Sequence, residues 1–220
     1  MSKSKRLEGV SYVGFDLDGT LYKTTEETQG IIRSTIHSRL AGSLNIPFEE
    51  AARKFEEEFP KTDSGSKTMA ALLGISREEA IEIMQDYLSE ADITGFLSYD
   101  SELRELFDNL RKGKILITSS KRFRAVRILQ KLGLSELDFN LRTYKDSSGP
   151  SDKSSGEVYR YYRERLGLQH HASRFVYVGD SEKRDIIPAK QVGFRTVFVG
   201  GESELADRSI PTIYDLESII

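Results

Sequence analysis

The chain has 220 residues, of which 38% are hydrophobic and 30% are charged, a composition typical of a globular protein with a sizeable core. Its formal net charge of −3 gives no basic footprint for binding nucleic acid. The sequence contains no cysteine, which excludes disulfides, thiolate metal sites and cysteine nucleophiles.

The N-terminal segment lacks the pattern of a targeting signal. The apolar run that begins at Val10 is interrupted by Asp16 and Asp18, too early for the apolar core of a signal peptide. No segment approaches the roughly 18 apolar residues expected of a membrane span. We therefore expect a cytoplasmic protein without a membrane partner.

The first part of the chain combines one strand with a helical block. Residues 10–17, VSYVGFDL, are β-branched and aromatic, and they predict a buried strand. Residues 24–91 contain no convincing strand, and their apolar spacing predicts about four helices. The first of these should begin at a capping box of Thr24 and Glu27. The second should stop before Pro60, and a polar loop, KTDSGSK, should follow it.

Helical and strand patterns alternate from residue 98 to the end of the chain. The segments KILITSS, LDFNLRTY, RFVYVGD and RTVFVG predict strands, and amphipathic segments lie between them. This alternation predicts an α/β fold, a doubly wound parallel sheet with a Rossmann-like core and helices on both faces. We assign residues 1–22 and 98–220 to this core, and residues 23–97 to an inserted α-helical domain.

Three of the predicted strands end in polar residues, in the segments FDLDGT, ILITSS and VYVGDS. In an open α/β sheet, ligands bind outside the carboxyl ends of the strands. Lys153, in the loop before a later helix, can reach the same edge. The side chains that we expect to converge with it are Asp16, Asp18, Thr118, Ser119 and Asp180.

These residue types point to phosphoryl chemistry. Carboxylates placed close together repel one another unless a cation lies among them, and a set of oxygen ligands favours Mg²⁺. The cation, Lys153 and Thr118 can hold a phosphoryl group while a carboxylate attacks phosphorus to form an aspartyl phosphate. Asp16 and Asp18 are two positions apart, so on a strand their side chains share one face. One of them can be the nucleophile, and the other can serve as acid and base.

The ordered set of motifs resembles that of the haloacid dehalogenase-like hydrolase superfamily. FDLDGTLY is similar to the first motif of the family, ILITSS to the second, Lys153 to the third and VGDSEKRD to the fourth. The third motif is often Lys-Pro in the family, whereas Ser154 follows Lys153 here, and Lys145 is a second lysine nearby. The resemblance covers residues 10–22 and about 98–200. Asp18 favours the phosphatase branch, because the dehalogenases of the family lack an acid at that position.

The resemblance implies a role for each matched residue. Asp16 is the expected nucleophile and a magnesium ligand, and Asp18 is the expected acid and base, whose backbone carbonyl also binds magnesium. Asp180 is a further expected metal ligand, and Asp185 supports the metal shell. The inserted helices resemble the cap that closes over the site and selects the substrate. The groups expected to bind and neutralise the phosphoryl group are Thr118, the Ser119 amide and Lys153.

We therefore predict a magnesium-dependent phosphatase that acts on a small phosphomonoester through an aspartyl phosphate. The expected partner is a small phosphorylated metabolite, such as a nucleoside monophosphate, a sugar phosphate or phosphoglycolate. A phosphotransferase, such as a sugar-phosphate mutase, would use the same residues and exclude water after capturing the phosphoryl group. A catalytically silent binding module is the alternative from another class.

Overall fold

The computed structural model describes residues 6–220, which form two compact units. The first unit contains residues 6–24 together with Leu97–Ile220, and the second is Thr25–Phe96. The chain therefore leaves the first unit early and returns to it later, so the second unit is an insertion. None of the helices within residues 6–220 has both the length and the hydropathy needed to cross a membrane.

Four helices make up the inserted unit and share one apolar core. Each helix contributes to that core, with Leu40, Phe55, Met69 and Ala80 buried in turn along the chain. The helices are α1 (Glu26–Leu44), α2 (Phe48–Thr62), α3 (Gly65–Leu73) and α4 (Arg77–Glu90).

Two boundaries in this unit differ from the sequence prediction. The capping box of α1 lies one residue later, at Thr25 instead of Thr24. The prediction that α2 stops before Pro60 is wrong, because α2 continues to Thr62. A proline this close to the end of a helix removes only one of the last backbone hydrogen bonds. The polar loop predicted over residues 61–67 is consequently mostly helical.

A six-stranded parallel sheet forms the centre of the first unit, in the order β3-β2-β1-β4-β5-β6. This confirms the predicted doubly wound α/β fold. The edge strand β6 is too short for its pattern to be recognised in the sequence. The strands are β1 (Tyr12–Phe15), β2 (Gly113–Ile117), β3 (Leu141–Thr143), β4 (Phe175–Gly179), β5 (Arg195–Val199) and β6 (Arg208–Ile210).

Helices cover both faces of this sheet. On one face the ring of Phe15 packs against Phe107, with centroids 5.1 Å apart. On the other face Tyr177 packs against Tyr159, with centroids 4.8 Å apart. Strands buried on both faces are apolar nearly throughout, as the sequence of β4 is. The helices are α5 (Ser101–Asn109), α6 (Arg122–Leu132), α7 (Glu157–Arg165) and α8 (Ile187–Gln191).

The strand β1 is shorter than the predicted strand over residues 10–17. Beyond Phe15 the chain bends into a turn, in which the amide of Leu21 donates to the carbonyl of Leu17 at 3.0 Å. Gly19 lies in this turn with a φ of +83°, a conformation that suits glycine. The turn carries the first acidic motif out of the sheet at the carboxyl end of its central strand.

Candidate active site

The strand order brings together residues that are far apart in the chain. β1 lies between β2 and β4, and the direction of winding reverses there, which opens a crevice at the carboxyl ends of the strands. Asp16 follows β1, Thr118 follows β2 and Asp180 follows β4. The three residues therefore lie at the same edge of the sheet.

Lys153 lies between two buried carboxylates at this edge. Its Nζ donates to Asp16 Oδ1 at 2.7 Å and to Asp185 Oδ1 at 2.7 Å. All three side chains are buried. Burial disfavours the charge on Lys153, but the two carboxylates outweigh burial and hold its pKa above the usual value. Lys153 thus contacts two of the acidic residues directly.

Three carboxylates form a cluster that fits a divalent cation. Oxygens of Asp16, Asp180 and Asp185 all lie within 4.8 Å of one another. Burial raises the pKa of Asp16 to about 7, where Lys153 opposes the rise and Asp185 adds to it. Burial and the charge of Asp185 likewise raise the pKa of Asp180.

One oxygen of this cluster has no partner in the described part of the chain. Asp180 Oδ1 is buried and accepts no hydrogen bond there. A buried carboxylate oxygen without a partner is costly, and a cation among three carboxylates removes both that cost and their repulsion. Carboxylate oxygens are the ligands that Mg²⁺ and other hard cations prefer.

A π-helical turn over Glu182–Ile186 places Asp185 in the cluster. The amide of Ile186 donates to the carbonyl of Ser181 at 3.2 Å, and the amide of Ser181 donates to Asp185 Oδ2 at 3.0 Å. The sequence predicted an ordinary helix here, and the wider turn appears only in the structure. Turns of this kind occur often at functional sites, because they redirect one side chain.

The side chain of Asp18 makes a separate set of contacts. Its Oδ1 accepts from the Tyr22 hydroxyl at 2.5 Å and from Arg124 Nη1 at 2.5 Å. Its Oδ2 accepts from Ser120 Oγ at 2.7 Å. Burial pushes the pKa of Asp18 upward, but Arg124 and the hydrogen bonds outweigh burial and hold the pKa below its usual range. Asp18 is therefore ionised at neutral pH, and its side chain remains 35% exposed.

Thr118 and Ser119 follow β2 beside these carboxylates. Thr118 is fully buried, and its Oγ1 accepts from the amide of Ser120 at 3.0 Å. Its hydroxyl hydrogen is not used by that contact, so it can be donated to a phosphoryl oxygen. Ser119 is half-buried next to it.

Three residues of the site, Tyr22, Ser120 and Arg124, were not identified from the sequence. Ser120 lies just before α6 and Arg124 lies in its first turn, where Arg124 Nη1 is 2.6 Å from Ser120 Oγ. An arginine in the first turn of a helix is also disfavoured by the helix dipole. This unusual position could have identified Arg124 from the sequence. Tyr22 reaches Asp18 through a local backbone bridge that the sequence pattern does not reveal.

The fold and the acidic cluster define a doubly wound α/β protein with a site suited to a cation and a phosphoryl group. A family model described as haloacid dehalogenase-like hydrolase matches residues 10–193. The chain therefore belongs to the haloacid dehalogenase-like hydrolases. This confirms the family resemblance and the prediction of a hydrolytic enzyme.

Individual relatives match nearly the whole chain. The chain is 27% identical to the glyceraldehyde 3-phosphate phosphatase of Methanocaldococcus jannaschii, over 94% of this chain and 95% of that protein. A HAD phosphatase from Thermococcus onnurineus has the same fold, with a TM-score of 0.60 at 22% identity, covering 96% of this chain and 97% of that one. A haloacid dehalogenase-like family hydrolase from Streptococcus pneumoniae gives a TM-score of 0.64 at 16% identity, covering 96% and 98%.

Proposed function

We propose that this hydrolase is a magnesium-dependent phosphatase that releases phosphate from a small phosphomonoester through an aspartyl phosphate on Asp16. The observation that carries the proposal is the buried carboxylate of Asp16, which Lys153 contacts at 2.7 Å beside Asp180 and Asp185. A protein that is similar to this chain over nearly its whole length is a glyceraldehyde 3-phosphate phosphatase. Three-carbon sugar phosphates are therefore the first substrates to test, ahead of nucleoside monophosphates and phosphoglycolate.

The residues around Asp16 suit the binding of a phosphoryl group. Lys153 supplies a fixed positive charge, and the Thr118 hydroxyl and the Ser119 amide supply donors at the end of the neighbouring strand. Donors that are fixed in place before the reaction stabilise the developing charge, and each is worth on the order of 3 kcal/mol in related oxyanion sites. A divalent cation bound by Asp16, the Asp18 carbonyl and Asp180, with Asp185 in support, would add charge neutralisation at the phosphoryl oxygens.

The reaction then needs two proton transfers through Asp18. In the first step, Asp16 forms a bond to phosphorus as the ester P–O bond breaks, and Asp18 gives a proton to the departing oxygen. Asp18 is ionised at rest, and the phosphomonoester, whose second pKa is about 6, can bring this proton into the site. In the second step, water attacks phosphorus, its proton passes to Asp18, and the bond between Asp16 and phosphorus breaks.

The inserted helices receive the role of a cap in this proposal. Residues 23–97 stand in the sequence between the motif of Asp16 and the motif of Thr118, where the resemblance implies a cap. Specificity for the alcohol part of the substrate then depends on this segment. Substitution of Lys67, in the polar segment of the inserted unit, should change the ranking of substrates without abolishing activity on an aryl phosphate.

The test is phosphate release from a panel of phosphomonoesters with Mg²⁺, comparing the wild type with Asp16→Asn. The panel contains glyceraldehyde 3-phosphate, hexose phosphates, nucleoside monophosphates, phosphoglycolate and an aryl phosphate. We expect metal-dependent release by the wild type and none by the variant. Equal release by both proteins would overturn the proposal. Isomerisation of a sugar phosphate, dependent on an added bisphosphate and without net phosphate release, would assign a mutase instead.

A further inference from the structure

Arg124 is a buried cation that engages the proposed acid and base. Its side chain is 8% exposed, and its Nη1 lies 2.5 Å from Asp18 Oδ1 and 2.6 Å from Ser120 Oγ. Ser120 in turn donates to Asp18 Oδ2. Arg124 therefore holds one oxygen of Asp18 directly and the other through Ser120.

Stability alone does not account for this arginine. The cost of removing two charges from water roughly cancels the attraction between them. An apolar side chain of similar size would therefore stabilise the fold equally well. Arg124 lies in the first turn of α6, where the positive end of the helix dipole disfavours a cation. Arg124 Nε is also buried without a hydrogen-bond partner among residues 6–220. Because these features do not stabilise the fold, we infer that Arg124 has a functional role.

The contacts of Asp18 are unequal on its two oxygens. Within the described residues, Oδ1 accepts from both Tyr22 and Arg124, whereas Oδ2 accepts only from Ser120. A carboxylate offers about four acceptor positions, two on each oxygen. The position that remains open is thus on Oδ2, and the side chain is partly exposed.

We propose that Arg124 is a positioning residue, which together with Tyr22 and Ser120 fixes Asp18 so that Oδ2 exchanges the proton with the departing ester oxygen. This inference rests on the proposed function. The proton leaves Asp18 Oδ2 for the ester oxygen as the P–O bond breaks, and it is replaced on Oδ2 by a proton of the attacking water. In this role Arg124 acts through its contacts with Asp18 and Ser120.

The leaving group distinguishes this role from a structural one. An alkoxide is a poor leaving group and needs the proton as the bond breaks, whereas nitrophenolate leaves without it. A displaced Asp18 should therefore slow the hydrolysis of an alkyl phosphate more than that of p-nitrophenyl phosphate. General damage to the site would slow both substrates alike.

The experiment measures kcat and KM of Arg124→Met with glycerol phosphate and p-nitrophenyl phosphate. We expect kcat for the alkyl ester to fall about tenfold more than kcat for the aryl ester, a part of the 10²–10⁴-fold typical of general acid catalysis. Tyr22→Phe, which removes one donor to Oδ1 and keeps the ring, should shift the ratio in the same direction. Arg122→Met, from the same helical turn but paired with Glu136, should leave the ratio unchanged.

A double-mutant cycle with Asp18→Asn completes the test. In the Asp18→Asn background, Arg124→Met should cause no further change in the alkyl-to-aryl ratio, because the two residues act as one unit. An equal loss with both substrates, or an additive effect in the double variant, would overturn the inference. Absence of phosphate release by the wild type would refute the proposed function itself, which is a different outcome.

Discussion

Lys153 Nζ lies 2.7 Å from Asp16 Oδ1, although 137 positions separate the two residues in the chain. The contact joins the loop before α7 to the end of the central strand β1. The same ammonium contacts Asp185 Oδ1, so one cation links two buried carboxylates. This arrangement keeps two negative charges close to each other in the interior of the protein.

Removal of that cation should damage both activity and stability. Lys153→Met leaves Asp16 and Asp185 without their buried partner, which should lower the free energy of unfolding by about 3 kcal/mol. It also removes a positive charge from the proposed phosphoryl site, so kcat/KM should fall at least about 100-fold. Denaturant unfolding and phosphate release measure the two effects. Lys145→Met is the matched control, and loss of activity in that variant with full activity in Lys153→Met would contradict the site.

Gly19 allows Asp180 to lie close to the first acidic turn. A Cβ at residue 19 would clash with Asp180 Oδ2, and the positive φ of Gly19 adds strain. Gly9→Ala is the control, because Gly9 has a φ of +71° and open space around its Cβ position. Both variants should lose about 1 kcal/mol of stability through backbone strain.

The two glycine variants should differ in their need for metal. Only Gly19→Ala should raise the Mg²⁺ concentration for half-maximal activity, by about tenfold, because only that variant displaces a carboxylate of the cluster. Titration of activity with Mg²⁺ checks this difference. Identical metal dependence of the two variants would show that Gly19 serves the backbone turn alone.

Addition of a divalent cation should stabilise the folded protein. The cluster of Asp16, Asp180 and Asp185 forms only in the folded chain, so binding of Mg²⁺ there as proposed, at 100 times its dissociation constant, should add about 2.7 kcal/mol to the free energy of unfolding. Thermal unfolding with Mg²⁺ and with EDTA measures the difference. Asp180→Asn should abolish most of the increase in Tm caused by Mg²⁺. Asp207→Asn, a change outside the cluster, should retain that increase. A full shift in Asp180→Asn would place the ion elsewhere.

The carboxylate of Glu136 should make the free energy of unfolding decrease as the pH falls into the acidic range. The hydrogen bond from Arg122 lowers the pKa of Glu136 to about 2, and the Tyr144 hydroxyl adds to the effect, although burial opposes it. A lowered pKa in the folded state means that the stabilisation is present above the ordinary value of 4.5 and is lost as the pH falls toward 2.

The Glu136→Gln variant tests this dependence. Because Arg122 is largely exposed, we expect a loss of only about 1 kcal/mol at pH 7. Denaturant unfolding of the wild type and of Glu136→Gln should be measured between pH 2 and pH 7. The difference between their free energies of unfolding should become smaller below about pH 4.5. A difference that stays constant with pH would exclude the ionised carboxylate as its cause.

Much of the fold was predictable because it follows from local patterns. The doubly wound sheet follows from alternating helices and strands, and the strand-end motifs led to the edge where Asp16, Thr118 and Asp180 now lie. The sequence predicted the residues that follow buried strands well, because a polar group after an apolar run is a strong local signal. The roles of these residues stay predictions until activity is measured.

The parts that escaped prediction depend on side-chain packing rather than on local pattern. The sequence did not single out Ser120 or Arg124, and only the folded backbone brings them to Asp18. The π turn before α8 forms because the amide of Ile186 donates to the carbonyl of Ser181. The spacing of apolar residues in the sequence does not distinguish this hydrogen bond from that of an ordinary α-helix. The continuation of α2 through Pro60 likewise reflects a small local cost that the rest of the helix outweighs.

The most direct test of the central claim is to trap the covalent intermediate on Asp16. The enzyme is mixed with substrate and Mg²⁺, quenched rapidly with borohydride, which reduces an acyl phosphate to an alcohol, and digested for mass spectrometry. We predict conversion of the aspartate at position 16 to homoserine, dependent on substrate and absent in Asp16→Asn. Phosphate release without any modification at position 16, or modification at Asp18 instead, would contradict the assignment of Asp16 as the nucleophile.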